Sequence, residues 1–174
     1  MKKLVFLAVM ALFPATFAAA NEGDLVLPGE RWIAKFDKYV CAAFGAAVAR
    51  PAAFEDFNVN FEQITTDYTL DNVLLKASFE ENGVYCRYSA FLFADNAKHT
   101  VQLVESKAYA PNGGSDCAAG KALLDKALDF NDYLYYGHPH NAAIMVSVPG
   151  AEAVCGQNLI GVNFVVKGRV PQAK

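Results

Sequence analysis

Hydrophobic residues in the N-terminal third of the chain recur at steps of three and four, the spacing of one helix face. The pattern begins near Pro28 and ends at Arg50, because a residue that precedes a proline disfavours the helical conformation. The hydrophobic positions of this first predicted helix are Ile33, Phe36, Val40, Ala43, Phe44 and Ala47. We expect the helix to cover one face of the structure that follows it.

From residue 57 to residue 109, hydrophobic and polar residues alternate with a period of two, which indicates strands with one buried face. Four segments carry this alternation: residues 57–62, 73–79, 84–93 and 100–109. Asn82-Gly83 lies between the second and third segments and can adopt the positive φ angles of a tight hairpin turn. The sequence therefore predicts a four-stranded antiparallel meander.

A cluster of proline, asparagine and glycine at residues 111–115 separates the meander from a second segment with helical periodicity. Ser115 or Asp116 can cap this helix, and Gly137 fits the left-handed residue just past its end. The hydrophobic positions are Leu123, Leu124, Ala127, Leu128, Phe130 and Leu134. Residues 142–148 and 159–170, on either side of Pro149-Gly150, then predict a C-terminal hairpin.

These elements together predict a single α+β domain that spans residues 21–174. Its antiparallel sheet consists of the four-stranded meander plus the C-terminal hairpin, and the two helices pack against that sheet. No linker, internal repeat or low-complexity segment divides the sequence. We therefore expect one hydrophobic core.

Residues 1–20 have the ordered parts of a secretory signal peptide. Two lysines follow Met1, residues 4–13 are apolar, and small residues stand at Ala18 and Ala20. An apolar run of this length is too short to span a bilayer, which takes about 20 residues. We therefore expect cleavage after Ala20 and a periplasmic or secreted protein without a stable membrane anchor.

Four cysteines follow the predicted signal, and an even number in an exported domain indicates two disulfides. Cys41, Cys86, Cys117 and Cys155 are too far apart in sequence for the paired spacing of a zinc site. Three pairings remain open. A first helix above the meander favours Cys41–Cys86, which leaves Cys117–Cys155 to join the second helix to the last hairpin.

Charge and motifs narrow the classes of function. The predicted signal holds two lysines and no acid, so its removal lowers the net charge from −3 to −5. The remaining basic residues are scattered along the sequence, and we therefore predict no nucleic-acid partner. No nucleophile elbow, redox cysteine pair, phosphate-binding loop or zinc-protease motif is present. We predict no cofactor and no catalytic residue.

Two groups of polar residues in the C-terminal half are candidates for partner binding. Tyrosine and histidine expose an apolar body with a polar tip, a combination that suits protein contacts. The first group is a tyrosine- and histidine-rich segment with Tyr133, Tyr135, Tyr136, His138 and His140. The second group places Asp125, Asp129 and Asp132 on one face of the second predicted helix, which suits a basic partner.

The two histidines of this segment also allow a metal hypothesis. His138 and His140 point the same way in an extended chain, and His99 or Asp132 could supply a third ligand. Pro139 interrupts a regular strand between them. We therefore predict a solvent-exposed loop and no metal site.

A third candidate is an apolar pocket between the first helix and the sheet. Its lining would consist of Trp32, Phe36, Phe44, Phe79, Tyr85, Tyr88, Phe91 and Phe93. A filled core is the alternative, because protein interiors are usually close-packed. The segment 84–93 carries bulky residues on both faces, so we expect helices or a second chain to cover both.

The leading hypothesis is an exported, non-catalytic protein-binding module, either an inhibitor or an immunity-type partner of another exported protein. One alternative is a carrier that holds a small apolar ligand between helix and sheet. A second alternative is a small hydrolase without a recognisable motif. The oligomeric state is open.

Overall fold

The computed structural model describes Leu25 and residues 31–41, 45–67, 71–95, 97–98, 100–113, 117–129, 134–137 and 141–170, with residues 134–137, 141 and 170 described by their backbone. Within these residues, nine strands form one antiparallel sheet that curls on itself. The strands are β1 (Arg31–Cys41), β2 (Ala47–Val48), β3 (Asn60–Thr66), β4 (Asn72–Glu81), β5 (Val84–Asp95), β6 (Thr100–Tyr109), β7 (Leu134–Gly137), β8 (Asn141–Ser147) and β9 (Leu159–Val170). The helices are α1 (Ala52–Glu55), α2 (Ala118–Leu128) and α3 (Glu152–Cys155).

The prediction of an α+β domain with two packing helices is wrong. Residues 31–41 form β1, which lies in the middle of the strand order β6-β5-β4-β3-β1-β9-β8-β7. The helical spacing has a physical cause, because β1 carries two irregularities in its pairing with β9. The irregularity after Phe36 places Phe36 and Tyr39, three residues apart, in contact with ring centroids 5.0 Å apart.

The prediction of an antiparallel meander is confirmed for β3 to β6, which pair in chain order. Asn82 and Gly83 join β4 to β5 with φ angles of 52° and 78°, as a tight hairpin requires. The first strand begins at Asn60, three residues later than its hydrophobic alternation suggests. The C-terminal hairpin is also present, with β8 paired to β9.

The second helix is shorter than its periodicity predicts. Helix α2 ends at Leu128, and Asp129 leaves the helical conformation with a ψ angle of 59°. Gly137 is a strand residue of β7 and does not cap the helix. Helix α2 contacts β4 and β6 near one end of the strand order and β8 near the other end, because the sheet curls around it.

The core lies on the inner face of the curled sheet, the face that contacts α2. Four aromatic rings from two strands and α1 meet there, namely those of Tyr39, Phe54, Phe61 and Phe36. Such edge-to-face and tilted contacts add to the free energy gained by burying the rings. No helix within the described residues is long and apolar enough to cross a membrane.

Two disulfides are present, but the predicted pairing is wrong. Cys41 bonds to Cys155, and this bridge is called the terminal disulfide below. Cys86 bonds to Cys117, and this bridge is called the helix disulfide. Cys41 lies on β1 beside β9, where α3 brings Cys155 close, and so it does not reach β5.

Candidate functional site

The three carboxylates predicted to share one face of α2, those of Asp125, Asp129 and Asp132, do not form one exposed acidic surface within the described residues. Asp125 accepts a hydrogen bond from the Tyr88 hydroxyl at 2.8 Å and one from the Lys121 ammonium at 2.5 Å. Burial raises the pKa of Tyr88 well above its ordinary value, and the negative charge of Asp125 adds to the effect. The phenol therefore stays protonated and donates. Asp129 is exposed at the helix end, and Asp132 lies outside the described residues.

The N-terminus of α2 is held by a strand residue that sequence reasoning missed. The carboxylate of Glu81, at the end of β4, accepts hydrogen bonds from the backbone N–H groups of Ala119 and Gly120 at 3.3 and 3.0 Å. An acidic side chain suits a helix N-terminus because it satisfies free donors there. Glu81 is nearly 40 positions away in sequence, so no local motif could have revealed this contact. We assign it a structural role.

The aromatic pocket candidates divide between the two faces of the sheet. Phe36, Phe79 and Tyr88 belong to the inner face and pack in or against the core. The guanidinium of Arg169 lies over the Trp32 ring, 5.4 Å from its centroid. The opposite face of β5 carries Tyr85, Phe91 and Phe93, and Phe44 lies outside the described residues. The members of this set that the structure describes do not line one cavity, because residues 31–41 form a strand of the sheet and not a helix above it.

The tyrosine- and histidine-rich segment is described only in part. Tyr135 and Tyr136 fall in β7, opposite Ala143 and Ala142 of β8. Tyr133, His138 and His140 lie outside the described residues, as does His99. Among the residues that are described, no group of three or more histidine, cysteine or acidic side chains is arranged to hold a metal ion.

The face of the sheet that points away from α2 gathers basic side chains from separate strands, and we call it the outer face. The strand register aligns Lys35 with Gln63, Gln63 with Lys76, Lys76 with Ser89 and Ser89 with Lys107. The Lys35 ammonium donates to the Gln63 side-chain oxygen at 2.7 Å. Three lysines that are scattered in sequence thus share one row across five strands.

Two clefts lie along this row and share Gln63 and Lys76. The larger, of ≈ 250 Å³, is also lined by Glu62, Tyr85 and Arg87. The smaller, of ≈ 150 Å³, is also lined by Leu25, Arg31, Ile33, Thr65 and Leu74. The backbone N–H of Leu25 donates to the Ser89 hydroxyl at 3.3 Å, so this residue lies on the outer face.

Arg87 stands between two tyrosines on the outer face. Tyr109 is directly opposite it on β6, and Tyr85 precedes it by two residues on the same face of β5. Side-chain interactions with Tyr109, followed by those with Tyr85, raise the pKa of Arg87 above its ordinary value. Tyr85 remains 45% exposed. Arginine and tyrosine are among the residues enriched in the centres of protein interfaces.

A β-bulge sets this arrangement. The pairing of β5 with β6 shifts by one residue between Phe91 and Leu92, which leaves Val104 as the extra residue of β6. Without the shift, the register at the start of β6 would place Ala108 opposite Arg87. Val104 is 56% exposed and Phe93 is 44% exposed, so the outer face also presents apolar surface near the bulge.

Comparison of the chain with protein-family models, with curated proteins and with solved structures gives no match. The function is therefore inferred from the residues of the molecule itself. Within the described residues, the outer face of β3 to β6 combines exposed aromatic side chains, an exposed arginine and two adjoining clefts. We take this face as the candidate functional site.

Proposed function

We propose that the protein is a non-catalytic binding module of the periplasm or secretome, which binds another exported protein on its outer face as an inhibitor or immunity-type partner. The observation that carries the proposal is the exposure of Tyr85, Arg87 and Phe93 together on one face of a rigid sheet. Tyr85 and Arg87 lie near one end of β5 and Phe93 near the other, and exposed large side chains on one face are typical of interaction sites. Two disulfides suit an oxidising compartment.

The size of the face supports this function. Five strands, β1 and β3 to β6, contribute seven to twelve residues each, and their spacing gives a sheet of about 24 Å by 33 Å. Leu25 lies over the middle of this sheet, where Leu74 and Ser89 are buried, so the surface open to a partner is somewhat smaller than the roughly 800 Å² that each partner buries in an interface of standard size. A sheet held by backbone hydrogen bonds loses little conformational entropy on binding.

Charge favours an acidic partner. The acidic face of α2 suggested a basic partner, but one of its carboxylates is already engaged within the molecule. Asp125 accepts hydrogen bonds from Tyr88 and Lys121. The outer face instead carries a row of lysines from separate strands, in which Lys107 pairs with Glu105 at 3.5 Å. The cleft lined by Lys76, Arg87 and Glu62 has one more positive than negative side chain, although the chain as a whole carries a net charge of −3. Opposite charge across an interface speeds association and selects the partner.

Site-specific photocrosslinking in the producing organism tests the proposal. A photoreactive residue at position 93 lies on the outer face, and the matched control at position 154 replaces the exposed Val154 of α3. We expect a cross-linked product with a second protein from position 93 but not from position 154. Both variants must keep the thermal unfolding midpoint of the parent.

Three results would overturn the proposal. Equal cross-linking from positions 93 and 154 would show that the outer face is not the contact surface. A product that contains only a second copy of this chain would show that self-association covers the face. A fully processed protein without any cross-link from position 93 counts against a partner on this face as well.

A further inference from the structure

We propose that Arg87, which Tyr85 and Tyr109 flank, is a carboxylate-binding subsite that receives an acidic segment of the partner protein. This inference rests on the proposed function and specifies the chemistry that the outer face recognises. It draws on the cross-strand geometry of β5 and β6 and on the cleft that Arg87 lines together with Lys76.

Two tyrosines flank Arg87 on the outer face. Tyr109 lies opposite Arg87 in the register, and Tyr85 lies two residues earlier on the same face and lines the cleft together with Arg87. A guanidinium has five N–H donors, so contacts with the flanking phenols leave donors for a carboxylate. Its planar fork matches the two carboxylate oxygens, so Arg87 can bind a carboxylate through two parallel hydrogen bonds.

A second positive charge lies at a distance that suits an extended peptide. Lys76 is opposite Ser89, and Arg87 precedes Ser89 by two residues, so Lys76 and Arg87 are diagonal neighbours. Diagonal neighbours on adjacent strands are about 7 Å apart. Alternate side chains of an extended peptide also recur about every 7 Å on one side. A segment with acidic residues at alternate positions can therefore place one carboxylate on each cation.

Acidic side chains on the same face favour a peptide over a nucleic acid. Glu62 lines the cleft with Arg87 and Lys76, Glu80 lies opposite Tyr85, and Glu105 is exposed nearby on β6. A nucleic-acid backbone carries a phosphate at every nucleotide and would be repelled by these carboxylates. A peptide with separated carboxylates can avoid them.

Fluorescence anisotropy with a labelled peptide of alternating glutamate and serine, about ten residues long, tests the subsite at about 10 mM salt. We expect Arg87→Gln to weaken binding about tenfold, and Arg87→Lys to weaken it severalfold because the lysine keeps the charge but loses the fork. The matched control Lys126→Gln removes one positive charge from the exposed side of α2 and should have little effect. Glu62→Gln should strengthen binding, because it removes a negative charge from the cleft.

The subsite is refuted if Arg87→Gln weakens binding no more than Lys126→Gln does. Tighter binding of a labelled oligothymidylate than of the peptide would also overturn it. Cross-linking from position 93 reports on the proposed function separately. If that cross-link persists while Arg87→Gln leaves peptide binding intact, the subsite fails and the binding module stands. Thermal unfolding of each variant confirms that the exposed substitutions preserve the fold.

Discussion

The contact between α2 and β4 allows a sharp prediction for Gly120→Ala. A Cβ atom at Gly120 would lie 2.2 Å from Cε2, 2.4 Å from Cδ2 and 2.8 Å from Cζ of the Phe79 ring. Carbon atoms normally approach no closer than about 3.5 Å. Phe79 is 1% exposed and packs in the core, so its ring has no free space into which it can move. Helix α2 must therefore shift by about 1 Å to admit the methyl group.

Two opposing effects set the expected magnitude. Replacing glycine with alanine inside a helix stabilises it by about 1 kcal/mol. Overpacking a filled site lowers the free energy of unfolding by about 1–3 kcal/mol. We expect a value near the upper end of this range, because the clash is close and because Glu81 and the helix disulfide hold α2 in place. We expect Gly120→Ala to lower the free energy of unfolding by about 2 kcal/mol.

Urea unfolding of the oxidised protein measures this difference. Ala122→Gly, at an exposed position of the same helix, is the matched control and should cost about 1 kcal/mol from helix propensity alone. Adding Phe79→Leu to Gly120→Ala should recover part of the loss, since the smaller side chain leaves room for the methyl group. A Gly120→Ala protein more stable than the parent would refute the close contact between α2 and β4.

Three further predictions concern the groups that fix α2 and the chain ends. Tyr88→Phe should cost about 1–2 kcal/mol at neutral pH, because it removes the donor to Asp125. Burial raises the pKa of Tyr88, so its stabilisation is complete below the unfolded pKa of about 10 and is lost as pH rises above it. The stability difference between parent and Tyr88→Phe should therefore shrink between about pH 9 and pH 11, and a constant difference in urea unfolding would contradict this. Glu81→Ala should cost about 2 kcal/mol by leaving two N–H groups without their acceptor, whereas the exposed Glu55→Ala should be nearly neutral in the same assay. Replacing the terminal disulfide by two serines should lower the free energy of unfolding by about 5 kcal/mol, and replacing the helix disulfide should lower it by about 4 kcal/mol. The difference arises because the two bridges close loops of 114 and 31 residues. If calorimetry gives the lower unfolding midpoint for the variant without the helix disulfide, the loop-entropy explanation is wrong.

The sequence by itself determined the elements that depend on neighbouring residues. Alternation of hydrophobic and polar residues predicted β3 to β6 and the C-terminal hairpin, and Asn82-Gly83 marked a turn that only positive φ angles allow. The number of cysteines predicted two disulfides. These features follow from local conformational preference and composition, which do not require knowledge of distant contacts.

Only the tertiary structure decided the conformation of residues 31–41. Irregularities in the pairing of β1 with β9 break the two-residue alternation and imitate a helix, and a bulge cannot be recognised until the partner strand is known. The predicted disulfide pairing was wrong for the same reason. Cys41 lies on a strand beside β9 and therefore bonds to Cys155, and not to Cys86. The cap that Glu81 provides to α2 is likewise a contact between distant segments.

The candidate site likewise has features that the sequence reveals and features that only the tertiary structure reveals. Tyr85 was recognisable from sequence as an aromatic residue of a strand, but nothing local connects it with Arg87 and Tyr109 as a unit. The bulge at Val104 places Tyr109, and not Ala108, opposite Arg87. Lysines that look scattered along the chain form one row because each comes from a different strand. Register between strands is a property of the whole sheet, so it decides which side chains become neighbours.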